Sequence, residues 1–360
     1  MILPLGLFFT DPKEEKKPKT RYIEHFNNKN IIMRQYLAII TLAGFLISCG
    51  APSQKKDTPV DQDSTTTAAD STTKSILKVA SGRVERLEKF ASKYVSHRNV
   101  DIWLPEGYNK DKKYAVLYMH DGQMLYDAQT TWNKQEWGID ETVGKLLKAE
   151  VIKPCIVVGI WNGDQTRHAD YFPQKPFEGL PQTTQDSLLQ LKQGKALMFA
   201  TKVQSDQYLQ FLVKELKPYI DQKYATLPDM ANTMVAGSSM GGLISMYTIC
   251  EYPDVFGGAA CISTHWPGVF SNENNPIPTA FVNYLKDHLP DPAQHKIYFD
   301  HGDATLDALY APHQKRVDVV MKQKGYTEKN WQTKVFPGEN HSEDAWKKRL
   351  EIPIKFLLQK

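Results

Sequence analysis

Residues 234–247 read MVAGSSMGGLISMY, two adjacent serines inside a cluster of glycines. A serine hydroxyl is a weak nucleophile at neutral pH. It becomes a reagent when an imidazole takes its proton and a carboxylate orients that imidazole. A sharp strand-to-helix turn of the pattern G-x-S-x-G lifts such a serine to the edge of a sheet, its glycines permitting the tight bend and close helix–strand packing. With Gly237 and Gly241 flanking, the central position is Ser239; centring on Ser238 would put Ala236 and Met240 where the glycines belong. A glycine-rich turn with incidental serines is the competing reading. The β-type run TMVA before the motif and the helical run GLISMYTIC after it favour the nucleophile turn.

Where this turn occurs in hydrolases, the partners follow in the order serine, acid, histidine. The downstream histidines are His265, His288, His295, His301, His313 and His341. His341 lies in VFPGENHSEDAW, a strand-like run that breaks into a Gly/Asn loop ahead of a final helix, where a loop-borne base can reach over the sheet edge. His265 comes too early for the order, and His288, His295 and His313 fall in helical or turn-rich polar stretches. His341 is therefore the expected base, with His301 as the second choice. The acid must lie between, in IYFDHGDATLDALY. Asp300 still belongs to the strand run, Asp303 follows a glycine at its end, and Asp307 stands where the next helix begins. Asp303 or Asp307 could equally serve as a helix cap, so the residues alone leave both open. The aspartate spacing does not match a calcium loop, and no cysteine pair has metal-type spacing, so neither metal nor cofactor is expected.

These residues need a scaffold that holds strand ends side by side. From about residue 80, short apolar runs alternate with helical patterns: 100–104, 114–119, 155–160, 233–236, 258–262 and 296–299 read as strands. Continuous apolar runs such as YAVLYM and CIVVGI suit strands covered on both faces. In 205–224, Leu209, Leu212, Val213, Leu216 and Ile220 share one helical stripe. The alternation predicts an α/β fold with a mostly parallel sheet and helices on both faces. Residues 174–204, rich in Gln, Lys and Pro, interrupt it as a lid-like insert.

The 44 basic and 41 acidic residues are spread along the chain, which excludes the clustered basic face a nucleic acid would require. Residues 33–48, MRQYLAIITLAGFLIS, carry one arginine and then an apolar run short of the ~20 residues of a membrane span. With Cys49 following, this is the pattern of a lipoprotein signal, Cys49 becoming the lipidated first residue at the bacterial cell envelope. Residues 1–32 then read as an upstream extension before a start at Met33. The Ser/Thr/Asp/Lys-rich stretch 49–78 reads as a disordered tether. The domain is expected over 79–360. Cys155, Cys250 and Cys261 lie in apolar runs and are expected as buried thiols.

Taken in order, RNVDIWLPEGY, YAVLYMHDGQMLYD, VVGIWN with RHADYFP, LVKELKPYIDQKY, VAGSSMGGLISMY, YPDVFGGAACIS and GENHSEDAW resemble the esterase family that includes enterochelin, feruloyl and acetyl-xylan esterases, S-formylglutathione hydrolases and mycolyltransferases. The resemblance covers most of 80–357 and implies an α/β-hydrolase fold, with Ser239 as nucleophile and His341 as base. His120-Asp121-Gly122-Gln123 matches the family's oxyanion loop, implying that the backbone N–H groups of Gln123 and Met240 hold the oxyanion. Better-known relatives carry the acid three residues after the glycine. That position here is Thr305, and Asp307 is favoured in its place, with Asp303 as the alternative.

Trp161, Asn162, Arg167 and Tyr171 follow a strand end, and Trp266 follows another, so they are expected to rim the cleft, although packing accounts for any one of them as well. Carbohydrate esters rank first as substrates, siderophore esters second and acyl transfer third. A binding protein that kept the fold without activity is the reading from a different class. The expected partner is a small-molecule or oligosaccharide ester, with the membrane met only through the lipid; the sequence does not speak to oligomeric state.

Overall fold

The computed structural model describes residues 76–360. The upstream extension, the signal segment, Cys49 and the tether up to residue 75 lie outside the described residues. The last tether residues already belong to the domain: the Ile76 N–H donates to the Val84 carbonyl, and Leu77 and Val79 pack on the core. Among the described residues, the folded part therefore already includes 76–78.

Among the described residues eight strands form one sheet: β1 (Arg83–Phe90), β2 (Arg98–Leu104), β3 (Ala115–His120), β4 (Cys155–Ile160), β5 (Thr233–Ser238), β6 (Gly258–Ile262), β7 (Lys296–His301) and β8 (Trp331–Val335). Their spatial order is β1-β2-β4-β3-β5-β6-β7-β8. β1 and β2 run antiparallel to their neighbours, and every pairing from β4 across to β8 is parallel. This is the α/β-hydrolase fold expected from the sequence. β1 lacks an apolar run because it is a half-exposed edge, and its R-V-E-R-L-E-K-F sequence does not announce a strand.

The central strands are buried on both faces, and their residues alternate between two cores. Val116, Tyr118, Val235, Ala259, Cys261, Ile297 and Phe299 enter one; Leu117, Met119, Met234, Ala236, Ala260, Ile262 and Tyr298 enter the other. Cys155, Cys250 and Cys261 are free and buried, and burial pushes the Cys155 thiol up to about 12. The helix expected over 205–224 is present as Ser205–Phe211 and Lys217–Lys223 joined by a π-helical turn, Leu212–Leu216. Pro218 has no N–H to continue the regular ladder at this junction. The insert folds into short helices Gln174–Glu178 and Gln182–Leu189 and a hairpin of two-residue strands. Among the described residues no helix is long and apolar enough to cross a membrane.

The strand order reverses beside β3. The chain leaves β3 for β4 on one side, then returns to add β5 on the other. The connections leaving β3 and β5 run to opposite sides of this point, and the carboxyl ends of strands at such a reversal are where sheets of this kind bind ligands.

Candidate active site

The loop after β3 and the turn after β5 meet where the strand order reverses: a Cβ on Gly241 would lie 3.2 Å from Asp121 Oδ2. Ser239 sits between β5 and the helix Met240–Glu251 with φ 58° and ψ −120°, a strained conformation for a residue with a side chain. Its backbone is held on both sides: its N–H donates to the Ile262 carbonyl at 2.9 Å, and its carbonyl accepts from Gly242, Leu243 and His265. The glycine register follows from contact. A Cβ on Gly237 would lie 2.6 Å from the Gly241 carbonyl oxygen, and one on Gly242 would lie 3.0 Å from that of Ile262. Gly237→Ala is therefore expected to cost about 1–3 kcal/mol by forcing backbone apart, measurable by urea unfolding, with ester turnover reduced as the bend opens.

The loop after β3 begins with Asp121 in the left-handed region, φ 58° and ψ 44°, and continues as a 3₁₀ turn, Gly122–Met124. A Cβ on Gly122 would come within 2.4 Å of the Gly159 backbone, so glycine lets the loop lie against β4. Asp121 is the hub. Arg167 grips its carboxylate through two hydrogen bonds of 2.7 and 2.8 Å, Asn162 Nδ2 adds a third at 2.7 Å, and the Asp121 N–H donates to the Tyr171 hydroxyl. Burial pushes the Asp121 carboxyl up, but Arg167 and Asn162 outweigh it and hold the group below its ordinary range. His120 is packed between Tyr171 and Tyr208 with Nδ1 2.8 Å from the Tyr208 hydroxyl; burial pushes it down to about 3, so it is a neutral prop. The backbone N–H groups of Gln123 and Met240 have no partner among the described residues. One stands at the end of β3 and the other at the end of β5, on adjacent strands.

Arg167→Ala strips the buried Asp121 carboxylate of its cation. The expected loss is about 3 kcal/mol, the lower end of the range for breaking a buried pair because the Arg167 side chain is 30% exposed. The sign with pH follows from the lowered carboxyl. Its stabilisation is complete above the unfolded value of about 3.9 and disappears as pH falls through the lower folded value. The gap between wild type and variant in urea unfolding should therefore narrow as pH falls below about 4.

On the far side of the sheet edge, His341 Nδ1 lies 2.5 Å from Asp307 Oδ1. Asp307 is buried on the 3₁₀ turn Thr305–Leu309, and its other oxygen accepts from the Gly302 N–H and the Ser263 hydroxyl, each at 2.6 Å. Burial pushes Asp307 up, but the hydrogen bonds from His341, Ser263 and Gly302 outweigh it and leave the carboxyl below its ordinary range. An ionised carboxylate only accepts, so His341 donates from Nδ1 and its Nε2 is an acceptor, with no protein partner among the described residues. The ring is wedged between Tyr310 and Trp346, edge to face at 5.8 and 5.0 Å between centroids.

The two alternatives fall elsewhere. His301 is buried and turned back on its own chain, Nδ1 2.5 Å from the Gly302 carbonyl. Asp303 is exposed and accepts from the Gly338 N–H at 2.6 Å, tying down the loop that carries His341. Thr305, at the position where better-known relatives keep their acid, accepts from the His341 N–H instead. Asp307, two residues later on the same 3₁₀ turn, meets the imidazole instead.

Of the residues expected to rim the cleft, Asn162, Arg167 and Tyr171 converge on Asp121 and brace the loop after β3. Trp161 is committed to the β1–β2 side, its indole N–H on Asp101 and its ring under Arg86. Trp266 is 1% exposed, with its indole N–H on Gln314, the setting of a core residue and not of the rim expected from sequence. Position after a strand end locates the backbone but does not fix which way a large side chain turns.

Tyr310 carries no motif and went unmarked in the sequence. Its buried hydroxyl lies 2.8 Å from His265 Nδ1, near the Ser239 side chain. The same His265 ring packs against Phe270, which with Leu188, Leu191, Met198, Val269 and Pro276 lines a cavity of about 450 Å³ between the insert and the loop after β6. Among the described residues no cluster of three or more His, Cys, Asp or Glu is placed to hold a metal ion.

A profile of the Esterase family, described as "Putative esterase", matches residues 92–352. Uncharacterized protein YbbA of Bacillus subtilis (strain 168) is 21% identical over 272 residues, 73% of this chain and 94% of its own. A ferulic acid esterase of solved structure superposes with a TM-score of 0.54 at 19% identity, over 77% of this chain and 98% of its own. The enterobactin esterase FES from Shigella flexneri does so with a TM-score of 0.53 at 15% identity, over 76% and 58%. At these identities the two structures speak for the fold alone.

Proposed function

The chain belongs to the Esterase family of ester hydrolases, and from that premise we propose that it is a serine carboxylic-ester hydrolase working through an acyl-enzyme. The observation that carries this reading is the Asp307–His341 pair at 2.5 Å, in a domain that also holds a serine at φ 58° on a strand-to-helix turn. In the proposed cycle Nε2 of His341 takes the proton of the Ser239 hydroxyl as Oγ attacks the ester carbonyl. The N–H groups of Gln123 and Met240 receive the developing oxyanion. His341 then protonates the departing alcohol, leaving an ester between Ser239 and the acyl group. Water, deprotonated by the same imidazole, releases the acid and restores the serine. Asp307 keeps the proton on Nδ1 throughout and stabilises the imidazolium as it forms.

Acetyl or hydroxycinnamoyl esters of carbohydrates are the proposed substrates. The apolar wall of Phe270, Leu188, Leu191 and Met198 beside His265 suits an apolar or aromatic acyl group, and the similarity to a ferulic acid esterase points the same way. The similarity to an enterobactin esterase is the ground for siderophore esters as the second reading. Turnover of acetylated xylan, feruloyl esters and a ferric catecholate trilactone, compared by kcat/KM, decides between them. No turnover of these or of p-nitrophenyl acetate, with no labelling by a fluorophosphonate, would leave a silent binding protein. We also propose that the chain is held at the bacterial cell envelope by a lipid on Cys49, on the strength of its sequence context. Palmitate labelling in cells that survives Cys49→Ser would contradict this.

A further inference from the structure

Ser263, directly after β6, is fully buried and has φ 40°, an unusual backbone for a residue with a side chain. Its N–H donates to Asp300 Oδ1 at 3.0 Å. Three side chains converge on its hydroxyl: Trp346 Nε1 at 3.0 Å, Arg349 Nη2 at 2.8 Å and Asp307 Oδ2 at 2.6 Å. Indole and guanidinium nitrogens only donate, and a hydroxyl has two acceptor sites and one hydrogen. With both acceptor sites taken, the hydrogen has one destination, the Asp307 carboxylate. The donors themselves are fixed. Arg349 is buried, also donates to Asp300 at 3.1 Å, stands 3.9 Å from Asp307 Oδ2 and stacks over Phe336. Trp346 also walls the His341 ring. Both lie on the helix Glu343–Arg349, immediately after the His341 loop.

We propose that Ser263 is a positioning residue for ester hydrolysis, a hydroxyl locked by Trp346 and Arg349 that orients Asp307 and, through it, the Nδ1 proton of His341. This rests on the triad reading above. Of the two Asp307 oxygens, Oδ2 is saturated by Ser263 and Gly302, so only Oδ1 faces the imidazole. Arg349 answers the charge of Asp300 and reaches Asp307 mainly through the serine, so the acid keeps its negative charge directed at His341. Without the hydroxyl, Asp307 keeps one anchor on that oxygen, and its carboxylate is free to rotate.

The test uses Ser263→Gly, which removes the hydroxyl while accommodating φ 40°, beside Ser263→Ala and Trp346→Phe. Rates are normalised to fluorophosphonate-titrated sites, so misfolded molecules do not count. The expected result is a kcat about 10- to 100-fold lower in both Ser263 variants, the size seen for residues that orient a catalytic ligand, with KM within about twofold. Trp346→Phe, which frees one acceptor site, should give a smaller loss in kcat with the same split. The downfield proton resonance of His341 Nδ1–H should move upfield or broaden in Ser263→Gly. A wild-type kcat and an unmoved resonance in Ser263→Gly overturn the proposal. If Asp307→Asn and Ser239→Ala also retain activity, the triad reading falls with it. If those two are inactive while Ser263→Gly is unaffected, only the positioning role fails.

Discussion

Ser239→Ala is expected to lower kcat for p-nitrophenyl acetate by roughly a million-fold, the scale reached when the nucleophile of a cooperating triad is removed. The loss appears in kcat because binding contacts remain. The fold should be retained, since alanine inherits the same strained backbone and the hydroxyl is not part of the core. Ser238→Ala is the control next door. Ser238 is 3% exposed, ends β5 in register with Ile262, and should change turnover by less than about threefold. Fluorophosphonate labelling followed by peptide mapping checks the assignment independently, with the adduct expected on Ser239. Activity that survives Ser239→Ala but not Ser238→Ala would mean that the glycine register has been misread.

Asp307→Asn is the second large effect, a loss of about ten-thousand-fold in kcat, against less than about tenfold for Asp303→Asn. The argument is one of hydrogen-bond direction. Position Oδ2 faces the Gly302 N–H, which cannot turn round, so the asparagine must place its carbonyl there and its NH₂ toward His341. An NH₂ donor forces Nδ1 to accept, moving the imidazole proton to Nε2, where it can no longer take the proton of Ser239. Asp303, by contrast, accepts from Gly338 at the surface, and an amide oxygen can do the same. Asp307 also has a stability signature. Its carboxyl is lowered on folding, so its contribution is present above about pH 3.9 and is lost as pH falls through the lower folded value. Urea unfolding of Asp307→Asn between pH 5 and 3 should show a flatter acid decline than wild type. A steep, unchanged decline would mean that the carboxylate is not held ionised in this way.

The tight strand-to-helix turn was legible because glycine is chosen there by contact. Gly237 faces the Gly241 backbone at a distance no Cβ tolerates, so the pattern G-x-S-x-G encodes geometry directly. The parallel strands were legible for a related reason: a strand covered on both faces needs an unbroken apolar run, as in YAVLYM. The edge strand β1 has one solvated side and no such run. The acid was legible only as a choice between two. Asp303 and Asp307 share a composition and a loop, and the deciding feature is a 3₁₀ turn that buries one and leaves the other at the surface. Trp266 illustrates the same limit from the other side, since a strand end places its backbone near the cleft while packing with Phe299 and Gln314 turns its ring into the core.

By itself, then, the sequence determined the fold class and the tight strand-to-helix turn that carries Ser239, and it offered His341 as a candidate base. Each of these depends on residue types whose local backbone behaviour is intrinsic: glycine at tight contacts, apolar runs in buried strands, chain order in the sheet. Tertiary structure decided which aspartate meets His341, that Asn162, Arg167 and Tyr171 gather on Asp121, and that Ser263, Trp346, Arg349 and Tyr310 pack around Asp307 and His341. Those choices depend on side-chain directions and on partners as many as 86 positions away, as in the Arg349–Ser263 bond. Hydrogen-bond valence in a buried site is settled only when all the donors and acceptors are in place together, so no single stretch of chain records it.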